Sequence, residues 1–284
     1  MTTSISSPLF SASFAEAYSL RNTFSTIKSA VGKVYIIWTP NDITISETNK
    51  NKTAMFNLVI KKTELKDYQY DALDEDGTLL PCIGTGVDMA EMVKATKSIK
   101  RNDGAVIFME AGDARLHIQL IRAKSKDGSR TTTNFVPIEE VDHTEYASIE
   151  YSRGPDDPNT KITASEFSST CTTMVSMKCN YVEVISYPRG IQFRGINASK
   201  SVLTIETFGT CILENTPSSS DTSKNKQYII RIPISTIKAL GKVNNLSINT
   251  AMIKFFSENN KPLKIVCPIG VYGSLSISIR DTEC

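Results

Sequence analysis

The chain has 284 residues, 40% of them hydrophobic and 22% charged, and its 32 basic and 30 acidic side chains leave a formal net charge of +2. That length fits two domains of about 140 residues each, and the composition is that of a folded globular chain rather than a disordered one. No apolar run approaches the ~18 residues of a spanning helix, and the Ser/Thr-rich start has neither the basic end nor the apolar stretch of a secretory leader. No membrane is therefore expected among the partners.

In chain order, residues 1–8 are expected to be disordered, and a strand follows at Phe10 to Phe14. A helix is predicted over 15–30, where Ala17, Leu20, Phe24, Ile27 and Val31 recur at helical spacing. Strands rich in β-branched and aromatic residues come next at Val34 to Trp38, Ile43 to Ser46 and Ala54 to Lys61. Asp74, Glu75 and Asp76 before Gly77 read as a loop, and Gly84-Thr85-Gly86 reads as a turn opening a second helix over 87–101. That helix buries Met89, Met92, Val93, Thr96 and Ile99, and leads into strands Ala105 to Glu110 and Arg115 to Ile121.

The acidic, turn-rich stretch 137–158 reads as an interdomain linker between a domain of residues 9–136 and one of residues 159–284. After it come a strand at Lys161 to Thr163, a helix over 164–178 with Phe167, Cys171, Met174 and Val175 inward, and strands Tyr181 to Tyr187, Ile191 to Gly195 and Val202 to Phe208. A polar loop over 214–227 precedes the last unit. Its elements are a strand at Tyr228 to Pro233, a helix over 234–243, and strands near Ser247 to Phe256, Leu263 to Cys267 and Leu275 to Ile279. The order strand, helix, strands thus recurs four times, which predicts an α+β fold of two domains with two such units each.

Signatures of catalysis are absent from the sequence. The six cysteines form no CxxC pair and the only histidines are His117 and His143, which is no zinc pattern. No phosphate loop, dinucleotide fingerprint, HExxH or GxSxG occurs. No enzyme, metal or cofactor is expected.

The charge is unevenly divided. The helix segments hold nine basic residues against Glu16, Asp88, Glu91 and Glu166, so the positive excess sits on helices while the remainder is slightly acidic. Arg21 and Lys28, then Lys94, Lys97 and Arg101, then Lys238 and Lys242 fall on one flank of the apolar stripe of their respective helices. A single row of this kind ordinarily only solvates a helix. Three similar rows suit phosphates rather than base edges. The third helix offers Ser168, Ser169, Thr172 and Thr173 instead.

The stretch KITASEFSSTCTTMVSMKCNYVEVISYPRGIQFRG, the tail NNKPLKIVCPIGVYGSLSISIRD, and FSASFAEAYSLRNTFSTIKSAV with MAEMVKATKSI resemble the sliding clamps of the proliferating-cell-nuclear-antigen (PCNA) family. The chain departs from that pattern in its basic balance, its 214–227 loop and Arg280-Asp281 where Ala-Pro is usual, as a divergent or viral clamp would. The resemblance implies a DNA-clamp fold of βαβββ units assembled as a homotrimer, with helices lining the inside of a ring and sheets outside. It implies a polymerase processivity factor that encircles double-stranded DNA without sequence specificity, in the nucleus or a viral replication compartment. A checkpoint-type or transcription-associated clamp-like protein is the alternative. Other implied partners are a DNA polymerase, other clamp-binding peptides and a clamp loader. The implied DNA-binding residues are Arg21, Lys28, Lys94, Lys97, Arg101, Lys238 and Lys242, and the implied peptide pocket is Met55, Val141, Tyr146, Pro262 and Ile277. Subunits would join by pairing Thr131 to Pro137 with Val202 to Phe208, so that proline at Thr204 releases monomers.

Overall fold

The computed structural model describes residues 8–122, 131–140, 158, 160–211, 228–246, 250–257 and 261–281. In the first half the elements are β1 (Pro8–Phe14), α1 (Ala17–Lys28), β2 (Lys33–Trp38), β3 (Asp42–Thr48), β4 (Ala54–Lys61), a short β5 (Asp67–Tyr70), β6 (Ile83–Asp88), α2 (Met89–Thr96), β7 (Gly104–Glu110), β8 (Arg115–Ile121) and β9 (Thr131–Glu140). The second half has β10 (Thr160–Thr163), α3 (Ala164–Ser176), β11 (Tyr181–Tyr187), β12 (Arg189–Ile196), β13 (Val202–Thr210), β14 (Tyr228–Pro233), α4 (Ile234–Leu240), β15 (Met252–Phe256), β16 (Leu263–Pro268) and β17 (Ser274–Ile279). Apart from β5, this is βαβββ repeated four times.

The described residues divide into two compact units. One holds the chain up to Glu47, from Asn57 through β9, and Ile269–Leu275; the other holds Thr48–Phe56, the chain from Pro158 to Pro268, and the end from Ser276. Each unit therefore includes a short piece from the other half of the chain. In the first, Glu16 N donates to Tyr272 Oη at 2.6 Å and Phe14 meets the Tyr272 ring edge-on at 5.3 Å. In the second, Arg280 N donates to Thr53 O at 2.9 Å.

The strand order in the first unit is β4-β3-β2-β6-β9-β8-β7-β1-β5. Alternate side chains of these strands fill the core, where Phe10 stacks on Trp38 at 4.0 Å and Trp38 Nε1 donates to the buried Thr85 Oγ1 at 3.0 Å. Thr85 thus lies within a strand: Gly84-Thr85-Gly86 is not the turn its glycines suggest. A Cβ at Gly86 would lie 3.2 Å from both Glu139 O and the Tyr35 ring, so glycine here permits close approach of neighbouring strands. The same packing corrects the linker boundary. Ile138, Glu139 and Glu140 pair with Val87, Gly86 and Thr85, so β9 runs through Pro137 to Glu140 and any linker begins later. Pro8 opens β1 instead of ending a disordered tail.

The second unit has a sheet ordered β13-β12-β11-β14 and the strands β10-β15-β16-β17. Phe167 of α3 joins Phe193 and Phe255 in a ring cluster with centroids 5.2–6.0 Å apart. A Cβ at Gly195 would sit 2.4 Å from Cys179 Sγ and 2.9 Å from Met174 Sδ, so the absence of a side chain lets α3 close onto β12. Five cysteines are described and none is bonded to another. Burial raises the thiol pKa of Cys171 and pushes that of Cys267 up to about 12.

The edges of the four-stranded sheet differ. Tyr187 and Gly190 close a two-residue turn and form a hydrogen-bonded pair, which fixes the alternation along β11 and β12. Through the β12 register, Thr204, Glu206 and Phe208 bond inward, whereas Leu203, Ile205 and Thr207 turn their N–H and C=O groups to the open edge. The same parity turns Arg231 N outward on β14. There it donates to Asp281 Oδ1 at 2.8 Å, and Pro233, the next outward position, has no N–H. Among the described residues one edge is blunted and the other is bare, with Val202, Leu203 and Ile205 exposed along it.

The hairpins β3–β4 and β12–β13, which hold equivalent places in the first and third repeats, share a turn. Asn49 Oδ1 accepts from Thr53 N at 2.9 Å and Asn197 Oδ1 from Ser201 N at 2.8 Å, and Lys52 and Lys200 adopt φ of 55° and 60°. A lysine there carries the Cβ penalty of the left-handed region, about 1 kcal/mol. Lys200→Gly is expected to stabilise the protein by about 0.5–1 kcal/mol. A rise in the urea midpoint without a change in slope is the readout; a fall would show that the lysine side chain contributes more than its backbone costs.

Candidate nucleic-acid interface

Each unit packs two helices against each other, α1 with α2 and α3 with α4. The predicted apolar stripe of α1 is buried throughout, with Ala17, Leu20, Phe24 and Ile27 inward and Val31 just beyond its end. Side chains cap the starts of two of the helices. Asp88 caps α2, accepting from Ala90 N at 2.6 Å, and Thr163 with Glu166 forms a capping box on α3.

α2 stops at Thr96, short of the predicted 101: Ile99 N turns to Thr96 O at 3.0 Å, and side chains take the carbonyls of Ala95 and Ile99. Asn134 Nδ2 donates to Ala95 O at 2.7 Å and Arg21 Nη1 to Ile99 O at 2.8 Å. In the second unit Ser168 Oγ donates to Gly241 O at 2.6 Å. Arg21 and Ser168 are each the fifth residue of their helix, so one strut is built twice, once with a guanidinium and once with a hydroxyl. Arg21, half-buried with its guanidinium 5.5 Å from the Tyr18 ring centroid, therefore ties α1 to the segment that follows α2.

The other expected DNA-binding residues, Lys28, Lys94, Lys97, Arg101, Lys238 and Lys242, are exposed. A favourable interaction with the helix dipole, about 0.3–1 kcal/mol, accounts for one cation at the end of each helix. Lys28, Lys94 and Lys238 lie in last turns, and Lys94 is also 3.3 Å from Glu91. The dipole does not account for the three cations beyond the end of α2. Lys97, Lys100 and Arg101 are exposed there and have no acidic partner among the described residues. Their loop is held from beneath by Asp103, 5% exposed, whose Oδ2 accepts from Lys100 N at 2.9 Å and pairs with Arg122, while Arg122 also donates to Ser98 O at 2.7 Å. Asp103 O accepts from Ala17 N at 2.9 Å, which ties the loop to the start of α1.

Lys100 in the first unit and Lys178 in the second are exposed cations that the rows along the helix flanks do not single out. Lys178 comes after α3 at φ 55° and gives that helix the terminal cation it otherwise lacks. The hydroxyls of α3 are partly spent: Thr172 Oγ1 donates to Ser168 O at 2.9 Å.

For the expected peptide pocket, Met55 and Ile277 are buried in the second unit, Pro262 is exposed, and Val141 and Tyr146 lie outside the described residues. Ile277, fully buried, offers a peptide no surface. His117 sits between the Phe108 and Phe135 rings, with Nε2 2.7 Å from Asp113 Oδ2. Hydrogen bonds from Arg115 and His117 hold the Asp113 carboxyl down to about 2. This is a packed turn at the base of β8. Among the described residues no group of three or more His, Cys, Asp or Glu could hold a metal ion, and no helix is long and apolar enough to cross a membrane.

No family model matches the chain, and no curated protein matches it in sequence. Among solved structures it is similar to the crystal structure of the proliferating cellular nuclear antigen from Entamoeba histolytica, with a TM-score of 0.75 and 14% identity over 97% of this chain and 100% of that one. The likeness is one of fold: a mixed α+β, PCNA-like clamp fold.

Proposed function

We propose that this chain is one subunit of a ring, a homotrimer, that encloses double-stranded DNA without reading its sequence and tethers replication and repair enzymes to it. The observation that carries this reading is the loop after α2, where Lys97, Lys100 and Arg101 stand exposed beyond what the helix dipole accounts for. Phosphate contacts are nearly equivalent from one register to the next, so such cations hold a duplex and still let it slide. The bare edge of β13 and the blunted edge of β14 favour head-to-tail growth through one strand, for which the start of β9, Thr131 to Val136, paired on its β8 side only, is the partner. A polymerase tail, a loader and a nuclear or viral replication compartment go with this role.

The test is a salt titration of duplex affinity for the wild type and the Lys94→Ala, Lys97→Ala double variant on two unrelated sequences. Each phosphate contact contributes a log-log slope of about −0.9, so the variant is expected to bind both duplexes more weakly and with a flatter slope. Identical slopes for the two proteins remove these lysines from the DNA path. A strong preference for one duplex overturns the sliding reading.

A further inference from the structure

The strands β10, β15 and β16 bury Ile162, Ile253, Phe255, Leu263, Ile265 and Cys267 on one face. The opposite face is cationic. Lys161 stands directly across from Lys254, Lys254 from Val266, and Phe256 from Lys264. Lys161 and Lys254 are exposed, and neither has an acidic partner among the described residues. No aspartate or glutamate occupies this face of the three strands. Like charges directly opposite on adjacent strands destabilise a sheet, so the pair costs stability in the isolated chain and gains only when an anion covers it.

The lysines alternate with apolar groups. Met252 is 41% exposed two residues before Lys254, and Phe256 lies two residues after it with the Lys264 ammonium 6.0 Å from its ring. Outward positions along a strand are about 6.6–7 Å apart, the same repeat as alternate residues of an extended peptide.

We propose that this face docks an extended acidic peptide in which carboxylates alternate with apolar side chains: the carboxylates over Lys161, Lys254 and Lys264, the apolar groups on Met252 and Phe256. The proposal rests on reading the chain as a platform for other proteins, and it gives their docking segments a sign, negative. A single-stranded nucleic acid fits less well, because stacking platforms for bases present several aromatic rings and here Phe256 is the only one on the face of these three strands.

The experiment measures anisotropy of a fluorescein-labelled peptide alternating Glu with Leu and Phe, titrated with the full chain at low salt. A second peptide has Lys in place of each Glu. The Lys161→Ala, Lys254→Ala double variant is expected to bind the acidic peptide at least about tenfold more weakly than the wild type, and the basic peptide is expected not to bind. Because the substitutions relieve a like-charge contact, folding is not at risk. Equal affinity of both proteins, equal affinity for both peptides, or no binding by the wild type overturns the proposal. So does oligothymidylate displacing the peptide at lower concentration than unlabelled peptide does. Self-association and duplex binding are measured on the same samples: their loss in the wild type counts against the ring, and peptide binding is read independently of it.

Discussion

Replacing Ile205 with proline is expected to abolish self-association while leaving the subunit folded. Ile205 N–H points to the open edge of β13, away from β12, so proline removes a donor that only an incoming strand would use. Its ring also obstructs a neighbouring backbone at ladder distance. An unmade bond at a buried partner carbonyl, together with lost burial of an exposed isoleucine, comes to about 3 kcal/mol, a weakening on the order of a hundredfold. Sedimentation of the variant should show monomers at concentrations where the wild type is assembled, with an unchanged urea midpoint. Thr204→Pro, the substitution that the sequence alone suggests, is a poorer test, because Thr204 bonds inward to β12 and its loss unfolds the sheet that is being probed. Wild-type assembly in the Ile205→Pro protein would move the interface away from β13.

Asp103→Ala is expected to destabilise the first unit by about 3 kcal/mol, the lower end for a broken buried pair because Arg122 stays partly in water. The substitution leaves the Arg122 guanidinium only the carbonyl and hydroxyl oxygens of Ser98 and frees Lys100 N. Asp103→Asn, which keeps a hydrogen-bond acceptor and loses the charge, should fall between the two. Duplex affinity should drop as well, although no basic residue has been removed, because Lys97, Lys100 and Arg101 lose the loop that presents them together. Urea unfolding and duplex titration of the same samples check both effects. An unchanged midpoint in Asp103→Ala would show that the loop is held by other contacts.

Four helices and most strands are legible in the sequence because each buries one face, and a buried face writes its period into the residues. Ala54 to Lys61 and Tyr181 to Tyr187 match their strands end to end. β6 is hidden because glycines usually mark turns, and here they mark close strand approach. The end of β9 is hidden by its acids, which look solvated whether or not the backbone is paired. The rows of helix lysines can be read locally, but the strut made by Arg21 cannot, since it joins α1 to a carbonyl far along the chain. The facing of Lys161 and Lys254 is likewise invisible: their meeting is a property of the register of β10 on β15.

The buried thiols turn the second unit into its own clock. Cys171 and Cys267, on α3 and β16, are closed to solvent and held protonated by their surroundings, so neither reacts in the closed structure. Alkylation must wait for an opening, and the rate at which a reagent captures each sulfur then counts how often that part of the core breathes. Loading onto DNA, docking of a partner or entry into an assembly would each be registered as a slowing of that capture, with no reporter group engineered into the protein.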